Sequence, residues 1–593
     1  MKQSNLKGTE KVLYFGGILV LFLYAFRNVN QGIDVTDTGY HFSNFLYMSE
    51  MDPMWIFSTY LASVLGNFFT GLPGGDTLLG INIYTALIPA LLGVATFVFF
   101  TKVIRMNSLA TFISVIVALS LCWCPTTCVY NYLTYLLFNL GAILLYLGLT
   151  RESNRYLVLA GVCLGMNVLV RFPNLAEAAL ILAVWFACFI RKAKWKEYFI
   201  KTGWCLLGYV SGVAIVFVQI ALKYGISEYV QGIIRLLGMT GDAKDYTLYS
   251  MILNLIDAYI FSGKWVAIMA VCVGLGVLGF LVMPGRFCRI KMVGYAICCL
   301  VLMRWFYGQG MFSLIYDAYG AIFNWGAVVI IGGIMLGLWM IFSKKFQEHE
   351  KILAAIVLVI IGITPLGSNN QLYSNINNLF LIIPFVLYAL YKVWKAEREV
   401  ILKIGKFTLQ ISTWPLLIMS GVCIVMLCVQ SIAFGNTFIF RDSAPRDREV
   451  GSIATVEHMK TNAENAQELE ELGAYVAEAG LEGRQVLLFG DVPALSAYLK
   501  MPFVMSPWPD LPSYSNATFE AELEKVTDNI KNSRPVIILG ADFYDFLTNQ
   551  VEDMDMIASY EADYGFKADL LANMIDDYVY TCTFRNDRYV IYE

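Results

Sequence analysis

Apolar runs approaching 20 residues recur along the first 433 positions, separated by short polar breaks. A helix of that length crosses a hydrocarbon core of roughly 30 Å. The runs predict about 13 transmembrane helices, starting near Val12, Leu78, Leu109, Tyr132, Tyr156, Leu175, Thr202, Trp265, Met292, Gly320, Ile352, Leu379 and Ile411. The run near Met292 is short and is interrupted by Arg304. Val12–Phe26 has the length of a signal peptide core. No small-residue cleavage site follows it and Arg27 opens a polar stretch, so it reads as an uncleaved first span.

Two polar intervals are long. The first, residues 27–77, contains the aromatic-rich run Met54–Phe69, which predicts a helix lying along a membrane interface. The second, Lys223–Lys264, predicts helical segments around Glu228–Leu237 and Leu248–Phe261. Beyond residue 433 the pattern changes. Asn465–Ala479 has helical spacing with a charged face. QVLLFG (Gln485–Gly490) and PVIILG (Pro535–Gly540) are short apolar runs ending in Gly, the signature of buried parallel strands. Helical segments follow at Glu520–Ile530 and Asp553–Met574, and YVYTCTF and RYVIYE predict a closing hairpin. The predicted fold is a polytopic α-helical membrane domain, residues 1–433, followed by a soluble α/β domain, residues 434–593.

Composition fits this division. Of the 593 residues 58% are hydrophobic and 15% charged, against about 25% charged in soluble proteins. The chain holds 42 Lys/Arg and 46 Asp/Glu, of which residues 441–593 carry 12 and 28. The C-terminal part is therefore acidic and excludes a nucleic-acid partner. Basic clusters such as Arg191–Lys201 and Lys392–Lys406 fall between alternate spans, which places those loops and the N-terminus in the cytoplasm. An odd number of spans then puts the first loop and the α/β domain outside, in what reads as a bacterial cell membrane. The 13 cysteines lie mostly singly in apolar runs. Cys122, Cys124 and Cys128 cluster without a histidine set to complete a zinc site.

Long outer loops over short cytoplasmic turns place the chemistry outside. The first loop reads QGIDVTDTGYHFSNF, Gln31–Phe45. Asp34 and Asp37 are three residues apart, so one helical turn puts them on one face. The string DVTDTGYH resembles the acidic motif of GT-C-fold glycosyltransferases, polytopic enzymes that use lipid-phosphate-linked sugars. The chain resembles the protein O-mannosyltransferases and the bacterial lipid A aminoarabinose transferases, the latter in whole-length plan. The resemblance implies an inverting transfer from an undecaprenyl- or dolichyl-phosphate donor to a glycan, lipid or protein acceptor, with Asp37 as the base and Asp34 beside it. Many members follow the motif Asp with a second acid; here that position is Thr38, so no metal or other cofactor is expected.

Phosphate needs cations, and a guanidinium is suited to it. Arg171 in LVRFPN and Arg304 in VLMRWFYGQG lie at predicted outer span ends, where they serve either the donor phosphate or snorkelling to headgroups. His41 offers a hydrogen bond to phosphate or sugar, or to the loop itself. Tyr40 and the amides of Asn369 and Asn370, in LGSNNQLYSNINN, suit sugar and acceptor recognition; the alternative for the amides is loop capping. Two other readings stand beside the enzyme: a glycolipid transporter or flippase, which predicts charges within spans and matching broken helices, and a non-catalytic membrane assembly protein, in which Asp37 is dispensable.

Overall fold

The structure is a computed structural model and describes residues 8–239, 247–282, 286–367, 370–396, 399–404, 407–511, 514–530 and 533–593. Among these residues eight helices are long and apolar enough to cross a membrane, from Leu78–Val103 to Trp414–Thr437. The chain reads as an integral membrane protein. Helices at five further predicted span positions, Gly8–Tyr24, Ser108–Leu121, Asn154–Val168, Glu348–Ile363 and Ile382–Ala396, are shorter. Asn154–Val168 and Trp195–Lys223 pack through paired glycines. A Cβ on Gly161 would lie 2.2 Å from the Cys205 carbonyl, and one on Gly208 would lie 2.0 Å from the Val158 carbonyl. Small residues four apart on both helices let the two backbones approach this closely.

Two predicted intervals fold differently. Leu248–Phe261 is no separate segment: a single helix runs from Leu248 to Leu281. Asp257 and Lys264 interrupt the apolar run without interrupting backbone hydrogen bonding. Met54–Phe69 is two helices, Pro53–Ser58 and Tyr60–Thr70. The Ser58 hydroxyl turns back onto the Trp55 carbonyl at 2.7 Å, competing with helix continuation. Trp55, Phe57, Tyr60 and Phe69 face protein, while Phe68 is exposed: Trp55 stacks on Tyr514 at 4.9 Å, and Phe57 meets Tyr224 and Tyr229.

After the Trp414–Thr437 helix the chain builds a four-stranded sheet. Val486–Phe489 and Val536–Gly540 pair in parallel; Tyr589–Tyr592 lies antiparallel to the second, and Cys582–Arg585 forms the far edge. Helices Ala463–Glu478, Asn516–Asp528 and Met554–Asp577 accompany it. The first loop is clamped to this sheet region. Gly32 N–H donates to Lys460 O at 2.8 Å, and Ala494 N–H donates to Val35 O at 3.0 Å. Asp442, itself buried, accepts from Ile33 N–H, Thr461 Oγ1 and Asn462 Nδ2 at 2.7–3.0 Å. These long-range bonds make the segment around Asp37 a fixed element.

Candidate functional site

Asp37 opens the helix Asp37–Leu46, with Thr36 before it. A carboxylate in a first helical turn faces unsatisfied N–H groups and the positive end of the helix dipole. The side chain is about a third exposed, and its Oδ2 lies 3.3 Å from Arg441 Nη2. Burial pushes the Asp37 carboxyl up to about 6; Arg441 pulls against that shift, and the charges of Asp34 and Asp491 add to it. Arg441 also donates to Thr36 Oγ1 at 2.6 Å. A carboxylate stands beside a cation, and burial holds its proton affinity above the usual carboxylate range.

The residues on either side of Asp37 border two cavities. Asp34 and Thr38 border one of about 140 Å³ on the side of the membrane helices, together with Arg27, Asn28, Trp123 and Phe440. There Trp123 stacks on Tyr319 with ring centres 4.4 Å apart. Val35 and Thr36 border the other, of about 230 Å³, against the sheet.

The remaining predicted residues fall into three groups. Tyr40 and His41 share the Asp37 helix, and Arg171 borders a separate small cavity with Asn174 and Glu177. The Tyr40 ring lies 5.7 Å from Trp508, and burial raises its phenol. His41 packs against Tyr40, Phe45 and Tyr130. Burial lowers its imidazole to about 4, so the ring is neutral at pH 7 and supplies no cation. Arg171 precedes the 3-10 helix Phe172–Leu180. Its Nε is buried without a hydrogen-bond partner, and its guanidinium makes no ion pair among the described residues. Close by, Asn167 Nδ2 donates to both oxygens of buried Glu177 at 2.8 and 2.9 Å.

Asp34 is held by its own turn. Its Oδ1 accepts from Thr36 N–H and Thr36 Oγ1, and its Oδ2 accepts from Thr38 N–H, all at 2.6–2.9 Å. It fixes the turn that aims Asp37, and both of its oxygens are engaged. Arg304 is not brought to the site. The buried face of the Cys288–Gly308 helix is Cys299, Met303 and Phe306, which leaves Arg304 exposed over Tyr307 of its own helix.

In the Asn-rich loop, Asn369 lies outside the described residues, and Asn370 is exposed with its carbonyl accepting from Tyr373 N–H. The amides that reach inward are later ones. Asn377 accepts from Trp123 N–H and donates to Cys124 Sγ, and Asn378 accepts from Asn139. They hold up the Trp123 segment. Among the described residues no three His, Cys, Asp or Glu side chains are placed to hold a metal ion.

The sequence reading missed Arg441, Trp508, Asp491 and Asp510. Arg441 follows the last span in FIFRD, a span-end arginine of the same kind as Arg171. GDVPAL and PWPDLP stand out as a strand-end turn and a Pro-rich loop, but the chemistry they bring together crosses long stretches of chain.

No family model and no curated protein matches the chain. Solved structures similar to it include two of the oligosaccharyltransferase of the archaeon Archaeoglobus fulgidus. One is a complex with zinc and sulfate (TM-score 0.44, 14% identity, 92% of this chain and 70% of that one). The other, described as AglB, contains an inhibitory peptide and a dolichol-phosphate (TM-score 0.44, 13% identity, 96% and 72%). A third is ArnT from Cupriavidus metallidurans bound to undecaprenyl phosphate (TM-score 0.41, 11% identity, 99% and 98%).

Proposed function

We propose that this chain is a membrane glycosyltransferase that moves a sugar from a polyprenyl-phosphate donor to a hydroxyl of an acceptor outside the cytoplasm, with Asp37 as general base. The observation that carries this reading is the Asp37 carboxylate, raised to about 6 and set against Arg441, in a turn whose neighbouring residues border two cavities. The acceptor oxygen forms its bond to the anomeric carbon as its proton passes to Asp37. The bond from that carbon to the phosphate oxygen breaks, and the polyprenyl phosphate leaves with the electron pair. Attack opposite the leaving group inverts the anomeric centre. The leaving phosphate is an anion already and requires cations; Arg441, and Arg171, which makes no ion pair among the described residues, are the groups assigned to it. Neutral His41 serves as a hydrogen-bonding wall.

Transfer of radiolabelled sugar from polyprenyl-phosphate donors, followed in membranes across pH, tests this. The base must be ionised, so kcat/KM is expected to rise with pH to a plateau, with a midpoint near 6. His41, lowered to about 4, does not produce that limb. Arg441 favours the charged form of Asp37, so Arg441→Gln is expected to move the limb to higher pH. A limb at the same pH in both proteins would show that another group titrates.

A further inference from the structure

We propose that the cavity at the ends of the parallel strands is the recognition site for the acceptor, and that it takes a sugar bearing a primary amine. This rests on the transferase reading above.

The cavity lies where Val486–Phe489 and Val536–Gly540 both end, bordered by Asp491, Asp510, Asp542, Tyr560 and Tyr564, with Thr36 of the first loop on its near side. Open α/β sheets bind ligands beyond the carboxyl ends of their strands. Asp510 is 3% exposed, which is costly for a carboxylate unless it has a purpose. Its Oδ2 accepts from the Gly490 and Asp491 N–H groups, both at 2.8 Å. Its side chain borders the cavity, and burial, with the Asp491 charge beside it, pushes its carboxyl up to about 7. The position is built. Buried Lys567 donates to the carbonyls of Pro509 and Leu511, on either side of Asp510. Gly490 and Asp491 adopt left-handed backbone, turning the chain sharply at the strand end. Asp491 then accepts from Trp508 Nε1 at 2.9 Å, and the Trp508 ring rests against Tyr40, three residues from Asp37.

Charge defines the ligand. Asp491, Asp542 and Asp587 border the cavity together with Asp510, and Arg588 is the cation of the lining. The Arg588 Nη1 is engaged by Asn465 Oδ1 at 2.6 Å and Glu468 at 3.4 Å. The cavity therefore repels phosphate and attracts an ammonium. The carboxylates are not arranged as a metal-ligand group. The Tyr560 and Tyr564 hydroxyls make no hydrogen bonds among the described residues, and their rings offer the apolar faces on which sugars and ammonium groups pack. The ammonium is the handle; a hydroxyl of the same acceptor, presented past Thr36, is the nucleophile for Asp37.

The test is calorimetric titration of the full-length protein in detergent with D-glucosamine and with N-acetyl-D-glucosamine, which share a ring and differ in charge. Glucosamine is expected to bind at least about ten-fold more tightly, the size of a charge-assisted hydrogen bond. Asp542→Asn, at the cavity wall, is expected to weaken glucosamine by about the same factor. Equal affinity for the two sugars, binding of neither, or no effect of Asp542→Asn overturns the proposal. Asp37→Asn is expected to bind glucosamine as wild type does. If amine selectivity is present while no donor supports transfer, the cavity assignment survives and the transferase reading fails.

Discussion

Asp37→Asn is expected to reduce sugar transfer by about 10²–10⁴-fold, the contribution of a positioned general base. Asn keeps the shape of the side chain and can still receive a hydrogen bond from Arg441, so the fold and the donor KM should change little. What it cannot do is accept the acceptor's proton. The elements that fix this region do not depend on the Asp37 charge: Asp34 closes the turn, and Thr36 remains bonded to Arg441 at 2.6 Å. The measurement is single-turnover transfer from saturating donor, with the melting profile as a control. Equal turnover in the two proteins removes the base and with it the enzymatic reading. A loss in KM alone would make Asp37 a binding group.

The membrane helices and the strands were legible because each depends on local pattern. Run length announces a span, and short apolar runs closed by Gly490 and Gly540 announce parallel strands. Errors arose where pattern and hydrogen bonding part company. The polar positions Asp257 and Lys264 suggested a break in a helix whose backbone runs through them, while Ser58 and Thr59 end a helix inside an apolar run. The candidate site was half legible. Asp37, Tyr40 and His41 come from one short string, and a span-end arginine is conspicuous in apolar sequence, which led to Arg171.

Arg304 was conspicuous for the same reason and is exposed, because helix phase decides where a side chain points and a single charge gives no phase. Asp34 shows the converse. Its spacing from Asp37 suggested a pair, but a carboxylate two and four residues before free N–H groups is drawn to them. Arg441 lies more than 400 residues from Asp37 in the chain. No local pattern encodes that contact; it comes from the docking of the first loop onto the C-terminal sheet region through Asp442, Val35 and Ser43.

That docking makes a second large effect predictable. Gly39→Ala is expected to destabilise the protein by about 1–3 kcal/mol, the cost of overpacking a filled interface, and to reduce transfer by at least ten-fold. A Cβ on Gly39 would lie 1.9 Å from the Ala494 Cβ and 2.4 Å from its Cα. Neither atom belongs to a flexible side chain, so the Asp37–Leu46 helix must shift away from the sheet region. Asp37 is two residues earlier on the same helix and would move with it, away from Arg441. Misplacement of a reacting group by about 1 Å can cost 100-fold in rate. Ala494→Gly, combined with Gly39→Ala, removes the 1.9 Å clash and leaves the one with the backbone. The double variant should therefore recover part of both losses, measured by melting temperature and by initial transfer rate. Full activity in Gly39→Ala alone would mean that Asp37 works without its contact to the C-terminal region, and that the sheet is a separate module instead of one wall of the site.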